Sequence, residues 1–273
     1  MAVRRSPHRQ AGPQLPGGQA PIQTRGPPPR REEAGERRGP SRVDCVASGY
    51  NITSCVIRTI IERYQADPSL EFPQLSREIA LSLKDYKLDL NAVKSYLAYL
   101  EKALGSTYPA LFRVDVEIST PLVVHVRNPY MPLEIGLAWH PILNVPYIPA
   151  TSIRGVLRAR GREICGVSAA ELFGDVGTQG DLVITEALPT TELALGADVI
   201  TPHYKEPNFR ETEAKPIPLV FPVVRPGATF AFFLASSRLK KECGAEVYKY
   251  LSQALQEGLG AKTRIGYGVI KVK

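Results

Sequence analysis

An α+β fold, with two helices laid on one face of an antiparallel sheet, is what this sequence predicts. Three observations lead there. Period-two alternation marks "FRVDVEIS" as a half-buried strand, with Val114, Val116 and Ile118 on one side and Arg113, Asp115 and Glu117 on the other. Helical spacing follows in "TSIRGVLRARGREI" and returns near 239–257. The strand candidates "GDLVITEA", "PIPLVFPVV", "ATFAFFLAS" and "YGVIKV" fall between and after those helices, so the order is strand, helix, strands, helix, strand.

Taken from the N-terminus, residues 1–42 carry nine Arg, three Glu and eight of the 24 prolines, with almost no large apolar side chain. Such a segment buries too little surface to offset its ordering entropy and reads as a disordered Arg/Pro-rich tail. It also holds a net +6 of the chain's +7, so the remainder is nearly neutral. A nucleic-acid surface on that remainder must come from where cations stand, since their number gives no excess. No apolar run approaches the ~18 residues of a membrane span, which points to a cytoplasmic protein. Cys45, Cys55, Cys165 and Cys243 are scattered without a C-x-x-C pair. Their spacing supports neither a zinc site nor a disulfide framework, and they read as buried thiols.

Residues 43–107 read as a small helical module. Asn51 or Thr53 can cap a first helix that turns Val56, Ile57, Ile60, Ile61 and Tyr64 to one side. After "ADPSLEFP" come two amphipathic pieces, near 75–84 and 89–104, the second carrying Val93, Tyr96, Leu97, Leu100 and Leu104, with Gly105 as its stop. Residues 108–273 form the α+β domain. "PLVVHV" continues the first strand or pairs with it, and a Pro-rich loop runs from Asn128 to Pro149. The first domain helix turns Ile153, Val156, Leu157 and Ile164 inward; the second turns Val247, Tyr250, Leu251, Ala254 and Leu255. This is the ferredoxin-like arrangement shared by RNA-recognition modules, whose second sheet face stays available to a ligand.

The densest signal is "GLGAKTRIGYG", where Gly258, Gly260, Gly266 and Gly268 surround Lys262, Thr263 and Arg264. It is no phosphate-binding P-loop: Ala261 precedes the lysine, and the loop closes a helix and opens a strand, the reverse of what a P-loop needs. The dinucleotide fingerprint fails for the same reason. What survives is a loop whose amides and two cations can follow an RNA backbone, or else a helix cap followed by a tight turn. In the helix opening at Thr151 and Ser152, Arg154, Arg158 and Arg162 recur at i, i+4 and i+8 and set three guanidiniums on one face. Helix amides and loop together predict one RNA furrow.

"YIPATSIRGVLR" (147–158), "LFGD" (172–175), "GDLVITEA" (180–187) and "GLGAKTRIGYG" (258–268) occur in the order seen in RAMP proteins of CRISPR systems, which this chain resembles over roughly 108–273. "DVITPHY" (198–204) and the C-terminal loop narrow the likeness to a terminal subunit of the type III-B, or Cmr, RNA-targeting complex. Ala150 replaces the glycine usual in the I-P-G element, and "EPNFR" stands where an aromatic pair often follows P-H-Y. The resemblance implies a non-catalytic RNA-binding and structural subunit in antiviral defence, capping a ribonucleoprotein filament near the 3′ part of the guide RNA. Its implied partners are guide RNA, target RNA, a backbone RAMP subunit, a small helical subunit and another terminal RAMP, with no cofactor, metal, membrane or small-molecule substrate. The RNA-binding candidates are Ser152, Arg154, Arg158, Arg162, His203, Gly258, Gly260, Lys262, Thr263, Arg264 and Gly266.

The alternative is a metal-independent endoribonuclease that processes precursor CRISPR RNA with a histidine. Of His8, His125, His140 and His203, the first lies in the tail, His125 reads as a partnered sheet residue, and His203 reads as a loop or RNA contact. His140, beside Trp139, is the best-placed base. No His/Asp/Glu cluster has metal-ligand spacing.

Overall fold

The computed structural model describes residues 50–84, 86–201 and 218–273. The tail, Cys45, His8 and His203 lie outside the described residues. Three helices come first: α1 (Ile52–Ala66), α2 (Phe72–Leu83) and α3 (Asn91–Thr107). Asn51 caps α1, its side chain accepting from the Thr53 amide at 3.0 Å, which occupies a donor the first turn leaves open. Val56 is fully buried, but Ile61 is 51% exposed, so the apolar face of α1 is narrower than its spacing suggests. Gly105 does not stop α3: the helix runs through it to Thr107, and its C-cap is Tyr108.

Strand β1 (Ala110–Ile118) is followed by the two-residue strands β2 (Trp139–His140) and β3 (Val145–Pro146), which pair inside the Pro-rich loop. Next come α4 (Ala150–Arg160), the short α5 (Ala169–Phe173), β4 (Val183–Ile184), β5 (Leu188–Pro189), β6 (Leu195–Ile200), β7 (Leu219–Val224), β8 (Thr229–Ser236), α6 (Gly244–Leu255) and β9 (Ile270–Val272). Helix α4 ends earlier than predicted because Gly161 takes the left-handed conformation at φ 63 and closes the last turn on the Arg158 carbonyl. "PLVVHV" forms no regular strand; Leu122 makes a single bridge to Val224. Strand β6 and helix α5 were not anticipated.

The main sheet is antiparallel, in the order β4-β8-β1-β9, with β5 also on β8. Phe112, Val114 and Val116 oppose Leu234, Phe232 and Phe230. That register puts all six on one face, and Leu234 lines the same space as Leu157 of α4 and Val247 and Leu251 of α6. Burying each phenylalanine contributes about 1.5–3 kcal/mol. The opposite face is not open as expected: α3 packs across β1 and β8, and every residue of β8 from Phe230 to Ser236 is buried. A separate ribbon pairs β6 with β7 and packs against α2.

The cysteines overturn another expectation. Cys165 and Cys243 form a disulfide between the segment after α4 and the start of α6, with Cα atoms 6.1 Å apart. Cys55 is also disulfide-bonded, and among the described residues no cysteine is free. The bonded pair is 78 residues apart in sequence. Helix packing, invisible to local spacing, brings the two within bridging range.

Candidate nucleic-acid interface

The glycine loop leaves α6 after Leu255 and returns into β9. Its backbone approaches the chain itself. Leu259 donates to the Gly268 carbonyl at 2.8 Å, Ala261 to Val123 at 2.8 Å and Gly268 to Pro121 at 2.9 Å. A Cβ at Gly260 would strike the Val123 carbonyl, and one at Gly268 the Leu259 carbonyl, while both residues hold positive φ. These glycines exist for close backbone packing. Gly266 differs, since a Cβ there meets nothing within 4 Å.

What the loop turns outward is polar and positive. The amides of Gly260, Lys262 and Thr263 have no partner among the described residues. Arg264 is exposed and makes no ion pair among them. Lys262 sits at φ 63, with its Nζ 5.6 Å from the Phe221 ring centroid, a cation over an aromatic face. Thr263 packs its methyl beside Gly258, 3.0 Å from where a Cβ would stand. Below, the Tyr267 hydroxyl donates to Asp198 Oδ2 at 2.7 Å. Burial, with the Asp198 carboxylate, pushes the Tyr267 phenol up to about 12.

The arginine stripe of α4 does not survive as a stripe. Arg154 is half-buried and donates to the Leu182 carbonyl at 2.6 Å and the Phe173 carbonyl at 3.3 Å. Arg158 is exposed, 3.6 Å from Asp175. Arg162 lies beyond the Gly161 cap, exposed and off the helix. Arg160 is instead the buried member, 11% exposed, bound to Glu257 and Gln253 and lying over Tyr250. The Ser152 amide closes a turn on the Pro149 carbonyl.

Sheet register separates the two predicted halves. Arg154 is held at Leu182, next to Val183, which opposes Ala235 and through it Leu111 at the β4 edge. The glycine loop enters β9 where Ile270 opposes Ile118, at the other edge and the other end of β1. Three strand spacings and seven residues of rise put these corners roughly 14 Å apart across the sheet and 23 Å along it. The strand anchors of the two halves therefore stand at different corners of the sheet, and two of the Arg154 donors serve the scaffold.

His140 is no free base. Its Nδ1 accepts from the Leu143 amide at 3.0 Å and the Ile142 amide at 3.3 Å, while Nε2 faces Glu186 at 4.0 Å. Burial lowers its pKa, partly offset by Glu186. The ring therefore caps the turn between β2 and β3. That turn also carries Asn144, whose Oδ1 accepts from the Ile52 amide and from Trp139 Nε1, joining α1 to the β2–β3 hairpin. His125 is exposed at φ 61 and lies outside any strand, against expectation. No group of three or more His, Cys, Asp or Glu among the described residues is arranged to hold a metal, and no helix among them is long and apolar enough to cross a membrane. Sequence reasoning saw residues 121–126 as a strand and the following stretch as a loop, and missed that Pro121 and Val123 hold the glycine loop; no motif there signals it.

An antiparallel α+β scaffold closed by a self-packed glycine loop defines the class of fold. Comparison narrows that class. The RAMP superfamily profile matches residues 116–271. A curated relative, "CRISPR system CMR subunit Cmr6" of Saccharolobus solfataricus, is 30% identical over 202 residues, covering 72% of this chain and 70% of its own. The chain belongs to the RAMP superfamily and is similar to Cmr6. Among solved structures, a chain of the type III-B Cmr-beta complex bound to cognate target RNA superposes with a TM-score of 0.71 at 24% identity, covering 85% of this chain and 95% of its own; that likeness concerns the fold.

Proposed function

We propose that this chain is a non-catalytic RNA-binding and structural subunit of a type III-B CRISPR effector complex, working in the cytoplasm. It caps the filament near the 3′ part of the guide RNA, contacts guide and target RNA, and adjoins a backbone RAMP subunit, a small helical subunit and another terminal RAMP. The observation that carries the reading is the glycine loop. Three amides without a partner among the described residues, and Arg264, stand on one turn, in a chain similar to Cmr6. Amides and guanidinium are what phosphate oxygens accept from. The strand order β4-β8-β1-β9, with α4 and α6 as the crossovers, supports a ferredoxin-like RAMP domain over 108–273, and α1–α3 serve it as a helical module. Processing by His140 has less support, because its Nδ1 already accepts two amides.

Affinity purification of the tagged full chain from its host tests this. The expected result is copurification of RNA and sibling subunits, with RNA recovery falling when Lys262 and Arg264 are both replaced by alanine. Full RNA recovery by that double variant, or scission of repeat RNA by the isolated chain, contradicts the reading.

A further inference from the structure

The glycine loop is one half of a seam whose other half is the segment 120–136. Besides the bonds from Ala261 and Gly268, Val126 and Tyr267 both pack against the small apolar cluster that holds Phe221 and Val123. Beyond Val126 the chain makes a loop, closed by the Gly136 amide on the Val126 carbonyl at 2.8 Å. Exposed on this loop and its approach are His125, Arg127 and Tyr130, the last 68% exposed, together with Pro129, Pro132 and, near the Gly136 closure, Glu134. None of the first three makes an ion pair or a side-chain hydrogen bond among the described residues. Tyr130 is four residues past Val126, so at most about 14 Å of chain separates them.

Charge, strain and composition agree on what lies there. Between 118 and 136 the one acid is Glu134, four residues past Tyr130 at the loop's far end, residues 258–273 contain no Asp or Glu, and the nearby Asp198 is occupied by the Tyr267 hydroxyl. His125 and Lys262 both hold left-handed backbone, at φ 61 and 63. Such residues cost roughly 1–3 kcal/mol each and concentrate at ligand clamps. The other two non-glycine residues with positive φ have internal reasons: Asn144 bonds Ile52 and Trp139, and Cys165 is in the disulfide. An exposed aromatic among unpaired cations is the composition that binds single strands, with bases stacked on the ring and phosphates on the cations.

We infer that His125, Arg127 and Tyr130 form a second RNA-binding element continuous with the glycine loop, with Arg127 on a phosphate and Tyr130 stacked on a base of single-stranded RNA. This rests on the RNA-binding reading above. The test is fluorescence anisotropy of the full chain with a short fluorescein-labelled single-stranded RNA across a KCl series. Tyr130→Ala binds about tenfold more weakly with an unchanged salt slope, and Tyr130→Phe binds like the unaltered chain. Arg127→Ala binds more weakly and lowers the slope by about 0.7. Tyr99→Ala, an exposed tyrosine on α3, changes nothing. If Tyr130→Ala and Arg127→Ala stay within about twofold of the unaltered chain while the Lys262 and Arg264 double variant weakens, this inference falls and the glycine-loop reading stands. Absence of RNA from both the unaltered chain and its purified complex overturns both. Retained RNA affinity with loss of copurifying subunits assigns the surface to a protein and overturns the inference.

Discussion

Helix α4 and the glycine loop carry similar cations, and the fold uses them differently. In α4, Arg154 is held by two carbonyls and Arg160 by Glu257 and Gln253, so these guanidiniums act as struts. In the loop, the backbone does the holding, through Val123, Pro121 and Gly268, and Arg264 is left free among the described residues. A guanidinium held by fold partners keeps fewer donors and less freedom for a ligand. Periodicity counts both kinds alike; the distinction lies in partners.

That contrast is broken or sharpened by three changes. The largest effect belongs to the scaffold side, where the Cys165–Cys243 disulfide closes a 78-residue span. Replacing both cysteines by serine is expected to lower unfolding free energy by about 4 kcal/mol on the chain-entropy account, measured by urea titration under non-reducing conditions. Arg154→Ala follows at about 3 kcal/mol, because two carbonyls lose a charged donor. RNA affinity measured on its folded fraction stays unchanged, and a loss of affinity there would return Arg154 to the binding surface. The smallest is Lys262→Gly, which relieves left-handed strain and raises stability by about 1 kcal/mol in the same titration while weakening RNA binding. Opposite signs for stability and binding in one variant mark a residue held under strain for a ligand.

Much of the fold was legible. Alternation in β1 and the inward set of α6 both match burial, because each element has one wet and one dry side that imposes a period. Asn51 announced the first helix through its capping chemistry. The end of α4 was readable in Gly161, yet Ile164 at helical spacing argued past it; that side chain reaches the core from beyond the cap. Strand β6 escaped because its burial pattern has no clean alternation. The site was half legible. Lys262, Thr263 and Arg264 were singled out by glycine density, although those glycines serve the backbone. Arg154 was misjudged because its carbonyl partners come from Phe173 and Leu182, nineteen and twenty-eight residues onward. The disulfide and the Val123–Ala261 contact were hidden for the same reason, being products of tertiary packing.

The diagonal placement of Val183 and Ile270 on the sheet has a mechanical outcome. Load applied at one corner reaches the other by two routes, through the paired strands and through the α4–α6 contact where Arg160 grips Glu257 at the root of the loop, so the sheet works as a braced tie-plate.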